Sequence, residues 1–401
     1  MRKLLFMSIT VLLLGGCSGS DTSNSSPNTS LDTDSRLTRA SVMAGLQNPW
    51  DMAFAPDGTL FFTEKCRGLS VRKTDGTIVR LFGTEGSAVI PGDFFCEGQS
   101  GMLGVAVHPA FENNRTIYLY MLSNFNTKAN MVVRLKVDAN YTTVTDRVDI
   151  VTGIPYKRTG NAWGPAGSNS GGRLRFGPDG YLYITTGDNQ NGALPQDLTS
   201  LGGKVLRVTE DGKPVPENNP PAGADARIFT YGHRDVQGIT FHPDTGQPFV
   251  CEAGPKTNDE VTGLIPGKNA GWDPKPDAGV TCVDNYCGDV PNRINGPATP
   301  MTDLIKFPDA LKPVVSYGDS PGMGPCTFLK GDQWKGWKNN MVVGMLSGER
   351  LDILHFNGEG GVDETIKILL PSARMRAVVQ GPDEQLYIAT DGGEVWVVGP
   401  R

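Results

Sequence analysis

The chain is poor in the residues that most simple catalytic and metal centres need. It carries four histidines, His108, His233, His242 and His355, so an imidazole base has few places to come from. Its seven cysteines include no Cys-x-x-Cys pair, which argues against a zinc site, and no Cys-x-x-Cys-His, which argues against covalent haem. No Gly-x-Ser-x-Gly elbow stands between a strand and a helix, and no phosphate-binding glycine loop precedes a helix. Positive charge is also short: 37 Lys and Arg face 43 Asp and Glu, a net charge of −6. That excludes a nucleic-acid surface as an expectation and leaves a small anion only a local basic pocket. Long amphipathic stretches free of Gly and Pro are missing, so helices have little footing.

What is present suits an all-β protein with many turns: 51 glycines, 29 prolines and aromatics spread along the chain. The N-terminus has a basic head, Arg2 and Lys3, then an apolar run from Leu4 to Leu14 that is short for a membrane span. Leu14-Gly15-Gly16-Cys17 looks like a bacterial lipobox. Residues 1–17 are therefore expected to be a lipoprotein signal peptide with Cys17 as the acylated residue. Ser18 after it leans towards the outer membrane, facing the periplasm, with that lipid as the only membrane contact. Residues 18–37 are rich in Ser, Thr, Asn and Asp and read as a disordered tether. Residues 38–401 form one domain. The six remaining cysteines allow three disulfides in fifteen pairings. Cys66 with Cys96 and Cys282 with Cys287 close short loops and are the expected pairs.

The domain repeats a unit in which an apolar residue leads into a proline turn and then an alternating strand. Copies stand at Phe54-Ala55-Pro56-Asp57-Gly58, Val107-His108-Pro109, Phe176-Gly177-Pro178-Asp179-Gly180, Phe241-His242-Pro243-Asp244 and Gln380-Gly381-Pro382-Asp383. The last interval is double, and Gly324-Pro325-Cys326-Thr327-Phe328 supplies a degenerate copy inside it. Proline sets φ for the turn, and Asp-Gly supplies its polar and left-handed positions. The strands that follow, such as Tyr181-Leu182-Tyr183-Ile184-Thr185, are β-branched and aromatic. One four-stranded sheet cannot bury both faces alone, so six copies predict a six-bladed β-propeller. Its units exceed the roughly 40–45 residues of compact blades, so long loops should build a site at the top of the channel. His108 and His242 fall in the turns and read as structural.

An ordered set of segments carries a resemblance. It runs through Asn48-Pro49-Trp50-Asp51-Met52-Ala53-Phe54, Gly98-Gln99-Ser100-Gly101-Met102-Leu103-Gly104, Gly171-Gly172-Arg173-Leu174, Gly187-Asp188 and Gly203-Lys204-Val205-Leu206-Arg207. It continues with Tyr231-Gly232-His233-Arg234, Gly254-Pro255, Asp259-Glu260, Pro266-Gly267-Lys268-Asn269-Ala270-Gly271-Trp272 and Arg374-Met375-Arg376. The set resembles the glucose/sorbosone dehydrogenase family, which includes the soluble aldose dehydrogenases that use pyrroloquinoline quinone (PQQ). The resemblance implies PQQ and calcium as cofactors, a sugar or related alcohol or aldehyde as substrate, and an external electron acceptor.

PQQ bears three carboxylates, which call for guanidinium groups able to grip them in two places. By resemblance Arg374 and Arg376 match the family's cofactor-binding arginines, and Arg234 another close to the quinone. Alternation along a strand would put Arg374 and Arg376 on one face. Gly254 and Pro255 match positions whose carbonyls hold the calcium beside the cofactor. Asp259 and Glu260 match acidic positions of a second calcium site. Gln99 and Tyr317 match sugar contacts.

The sequence departs from the pattern at one place. Asn169 stands where the family has its histidine base, and Ser168 where it has a neighbouring aspartate. Asparagine does not titrate near neutral pH and cannot act as a base. Asp235 replaces an asparagine, Ala253 a larger polar residue, and Ser347 a cofactor-contacting lysine. Asp235 is a candidate replacement base, although a carboxylate beside Arg234 is expected to have a lowered pKa. Two other readings stay open: a propeller lipoprotein that binds carbohydrate or another ligand without turnover, and, by fold analogy, a calcium-dependent lactonase.

Overall fold

The computed structural model describes residues 36–161, 164–288, 294–296, 298–357, 360–368 and 370–401. The expected signal peptide, Cys17 and nearly all of the tether lie outside the described residues. Within them, 24 strands form six four-stranded antiparallel sheets.

The first blade is β2 (Pro49–Phe54), β3 (Leu60–Glu64), β4 (Gly68–Arg72) and β5 (Ile78–Gly83). The second is β6 (Met102–Val107), β7 (Thr116–Ser123), β8 (Ala129–Val137) and β9 (Val144–Ile154). The third is β10 (Gly171–Phe176), β11 (Leu182–Thr186), β12 (Lys204–Val208) and β13 (Ile228–Tyr231). The fourth is β14 (Val236–Phe241), β15 (Pro248–Glu252), β16 (Glu260–Gly263) and β17 (Val315–Ser316). The fifth is β18 (Met323–Phe328), β19 (Met341–Met345), β20 (Leu351–Phe356) and β21 (Val362–Ile368). The sixth joins the two chain ends: β22 (Met375–Gln380), β23 (Leu386–Thr390) and β24 (Val395–Pro400) are completed by β1 (Leu37–Met43). Leu37 lies opposite Pro400 and Met43 opposite Val395, so main-chain hydrogen bonds close the ring. The innermost strands β2, β6, β10, β14, β18 and β22 each touch the next and the last touches the first. They line the channel.

The proline turns behave as their residues dictate. In the first blade the Asp57 carboxylate accepts from the Thr59 N–H (2.9 Å), and Gly58 takes φ +85°. Asp179 does the same for the Tyr181 N–H (3.2 Å). In the second blade His108 replaces the aspartate, its Nδ1 accepting from the Ala110 N–H (2.9 Å) ahead of the one-turn helix α1 (Phe111–Asn114). His242 accepts likewise from the Asp244 N–H (3.2 Å). Both histidines serve turns, as read. The degenerate copy is a correction: Pro325 lies inside β18, and the fifth blade turns after Phe328 through Leu329-Lys330-Gly331 into a 3₁₀ segment, Asp332–Trp337.

The cores lie between neighbouring sheets. Phe61 of the first blade is wholly buried against Phe111 and Tyr141 of the second, and truncating such a side chain costs about 3–5 kcal/mol. Cys66–Cys96 and Cys282–Cys287 are disulfides. The third expected disulfide does not form: Cys251 and Cys326 are buried free thiols. They sit on β15 and β18 in one apolar cluster, where burial first, then the neighbouring Cys326, pushes the Cys251 thiol up.

One device recurs in every blade. Each inner strand carries a register shift just after its start: Pro49/Met52, Met102/Val105, Gly171/Leu174, Val236/Gly238, Met323/Cys326 and Met375/Ala377. Bulges re-aim side chains and locally end pairing. Here they ring one mouth of the channel.

Candidate functional site

That mouth holds a cleft of about 260 Å³. Its cations are Lys65, Arg374 and Arg376, and its carboxylates Asp235 and Asp391. Arg374 stands just before β22, and Arg376 lies on the bulge within it. Simple alternation is therefore broken there, yet both side chains reach one partner. Arg374 Nε donates to Asp391 (2.9 Å), and Arg376 donates to it through Nε and Nη2 (both 2.9 Å). Burial alone would raise the Asp391 carboxyl, but Arg376 and then Arg374 hold it below the ordinary range. Lys65 follows β3 next to the Cys66–Cys96 disulfide, and its ammonium donates to the Gly98 carbonyl (2.5 Å). Burial, and then the Arg376 charge, lower its pKa. Gln99 stands on the same loop and lines the cleft.

The floor is a buried ion triad. Asp51 pairs with Arg173 (2.5 Å) and Arg175 (2.9 Å). Burial would raise Asp51, but the two arginines hold it down. Arg173 also donates to the carbonyls of Trp50 (3.2 Å), Gln237 (3.0 Å) and Arg376 (3.1 Å). It thus ties β2, β14 and the Arg376 bulge to β10. Two guanidiniums against one carboxylate leave one positive charge in excess on the channel axis.

On the opposite wall stand Asn169 and Asp235. The Asn169 amide donates to Asp188 (2.9 Å). Asp188 is wholly buried and also accepts from Trp272 Nε1 (2.8 Å), the Tyr286 hydroxyl (2.9 Å) and the Gln190 N–H (2.8 Å). Burial pushes its carboxyl up to about 6, against the pull of Arg234 and these donors. Asp235 is half-buried and accepts from the Gly171 N–H (3.1 Å) and Gln237 Nε2 (2.9 Å). Gly171 takes φ +61°, and a Cβ there would come within 2.7 Å of the Thr186 backbone. The expected lowering of Asp235 is corrected: burial raises its pKa, and Arg234 only offsets part of the rise.

The other expected residues divide. Arg234 is buried beside Asp188 and Asp235 rather than on the cleft wall, and its Nη1 donates to the Ala253 carbonyl (2.8 Å). Ala253 does line the cleft. Ser168 is turned away, donating to the Pro165 carbonyl (2.7 Å). Tyr317 is spent on Asp352 (3.0 Å), and burial and that carboxylate raise its pKa. Ser347 sits on an exposed turn whose N–H donates to Pro321, while its neighbour Leu346 lines the cleft. None of the three lines the cleft. Asp259 accepts from the Gly254 N–H (2.7 Å), Ser320 (2.6 Å) and the Met323 N–H (2.6 Å). It clamps the Gly254–Pro255 loop. Glu260 faces Glu252 across the sheet and accepts from Thr302 (2.8 Å). Burial, with Glu252 and Asp259 nearby, pushes it up to about 8. Among the described residues no group of three or more His, Cys, Asp and Glu is arranged to hold a metal.

Sequence reasoning missed Lys65, Ala253 as a wall residue, Leu346 and Asp391. The repeat contained the signal. Each is the first residue after the second strand of its blade, following β3, β15, β19 and β23, so that corner lines the mouth in four of the six blades.

A six-bladed ring with cations gathered at one mouth, over a positively charged floor, defines a propeller suited to a small anionic ligand. The chain belongs to the glucose/sorbosone dehydrogenase family, whose model matches residues 46–397. It is 31% identical over 366 residues to aldose sugar dehydrogenase YliI of Escherichia coli, covering 89% of this chain and 91% of that one. It is 27% identical to quinoprotein glucose dehydrogenase B of Acinetobacter calcoaceticus, covering 87% and 84%. The crystal structure of the soluble aldose sugar dehydrogenase from Escherichia coli in the apo form superposes with a TM-score of 0.73 at 27% identity, over 91% of this chain and 100% of that one.

Proposed function

We propose that this chain is a PQQ-dependent sugar dehydrogenase that works with Asp235 in place of the family histidine. The observation that carries the reading is the cation set of the cleft. Lys65, Arg374 and Arg376 converge on one small space, and the Arg173–Asp51–Arg175 floor adds a further positive charge beneath it. A polycarboxylate is the ligand that such a set suits. Arg374 and Arg376 are both held by Asp391, so their forks are oriented before any ligand arrives. Calcium belongs to the same reading, and the Gly254 and Pro255 carbonyls are the groups that would hold it.

PQQ, when bound, supplies a quinone that accepts a hydride from the sugar carbon. The chain's own part is to place the sugar and take its hydroxyl proton. Gln99 and the Asn169 amide offer polar contacts at the cleft wall. Asp235 offers the carboxylate, and its raised pKa makes it a stronger base than an ordinary aspartate. The Gly171 and Gln237 donors keep it in place. An external acceptor then takes the electrons, and the lipidated Cys17 tethers the propeller to the outer membrane on its periplasmic side.

A second reading, ligand binding without turnover, draws on one contact. The Asn169 amide is bonded to Asp188, an arrangement that holds a side chain still but moves no proton. Dye reduction by the PQQ- and calcium-loaded protein across a panel of aldoses separates the two. Turnover supports the dehydrogenase; tight PQQ binding with no turnover on any aldose supports the second reading.

A further inference from the structure

The far mouth of the channel holds a larger cavity, of about 610 Å³. Every inner strand gives it at least one half-buried side chain, the one nearest the turn being Phe54, Val107, Phe176, Phe241, Thr327 or, beside Gln380, Val379. Five of the six are apolar. A concave wall of this kind with a few polar groups is the usual form of a small-molecule site.

Three charged groups line it: Lys330 and Glu384, both exposed and of opposite sign, and the half-buried Arg175. Arg175 lines the cavity, with its side chain 21% exposed, while Asp51 and Arg173 behind it are closed off. Arg175 grips Asp51 through both terminal nitrogens (2.9 Å each). Asp51 is shared with Arg173, so its single negative charge does not neutralise the pair. The surplus charge serves the cleft from one side and this basin from the other.

We propose that the basin binds a small amphipathic anion: an aromatic ring or short aliphatic chain carrying one carboxylate or sulfonate. Removing the ring from water against the phenylalanines supplies the affinity. The triad's excess charge, in a partly desolvated position, orients the anionic end inwards. The basin shares no lining residue with the cleft, only the charge of the triad between them.

The test is a fluorescence titration of the full chain with 8-anilinonaphthalene-1-sulfonate, an aromatic sulfonate. The expected result is one saturable site. Val107→Glu, which sets a negative charge on the wall, and Thr327→Trp, which fills the basin, should each weaken binding by about tenfold. Ile305→Ser and Phe125→Ser, which remove exposed apolar side chains elsewhere, should leave it unchanged. Uncharged N-phenyl-1-naphthylamine should bind about tenfold less tightly. Binding indifferent to both wall variants, or lost with the two surface variants, overturns the site. Equal binding of the uncharged probe overturns the anion preference.

Discussion

The two mouths of the channel are built from the same six strands and are chemically opposite. At one, each inner strand starts with a bulge, and the wall carries Lys65, Asn169, Asp235, Arg374, Arg376 and Asp391. At the other, the strands run in regular register into their turns, and the wall carries Phe54, Phe176 and Phe241. Regular pairing fixes side chains by alternation and favours stability. Broken pairing frees a few backbone positions to aim polar groups at one point. The fold thus keeps its chemistry at one end and its apolar packing at the other, with the Arg173–Asp51–Arg175 triad as the partition.

The largest effect is expected at the polar mouth. Asp235→Asn should lower kcat for sugar oxidation by roughly 10²–10⁴-fold while leaving the melting temperature nearly unchanged. In the parent protein, kcat should rise with pH through an inflection above the ordinary aspartate range. The base works ionised, and burial raises its pKa. An unaltered kcat, or a profile falling with pH, removes Asp235 from its role.

A smaller effect sharpens the contrast between Asn169 and the family histidine. Asn169→His added to Asp235→Asn should recover about tenfold in kcat. The new imidazole would stand against Asp188, whose buried carboxylate can orient it. No recovery would mean that the cleft is arranged around Asp235 alone.

The smallest effect concerns stability away from both mouths. The folded-state pKa of Glu260 is about 8, above its ordinary 4.5. The fold therefore favours the protonated form, and that stability is complete below about pH 4.5 and is lost as pH rises towards 8. Glu260→Gln should raise the melting temperature by roughly a few degrees above pH 8 and make no difference near pH 4. Equal melting temperatures at both pH values would show that Glu260 ionises without cost.

The regular end of the molecule was the legible one. Pro56, Pro178 and Pro382, each followed by aspartate, mark turns whose hydrogen bonds are local; with Pro109 and Pro243 they count five blades, and the doubled interval before Pro382 supplies the sixth. Pro325 misled because proline also fits an inner strand at a bulge. The polar mouth was legible only in part. Arg374 and Arg376 stand out as a pair, but Asp391, which orients them, is 15 residues from Arg376 along the chain. Asp235 was visible as a residue. Its raised pKa was not, since burial beneath loops from several blades outweighs the adjacent Arg234. Ser168, Tyr317 and Ser347 lie off the cleft lining: bulges and long corners decide which side chains face the space, and neither has a periodic signature. Lys65 and Asp391 become visible once the blades are aligned on their second strands.

Guanidinium and ammonium groups at the bulged mouth should hold a polycarboxylate, and titrating the purified protein with PQQ, in the presence of calcium, measures that hold. Saturable one-to-one binding is expected, weakening as salt is raised, with Arg376→Gln losing at least about tenfold in affinity. No binding, or binding indifferent to both salt and Arg376→Gln, would contradict it.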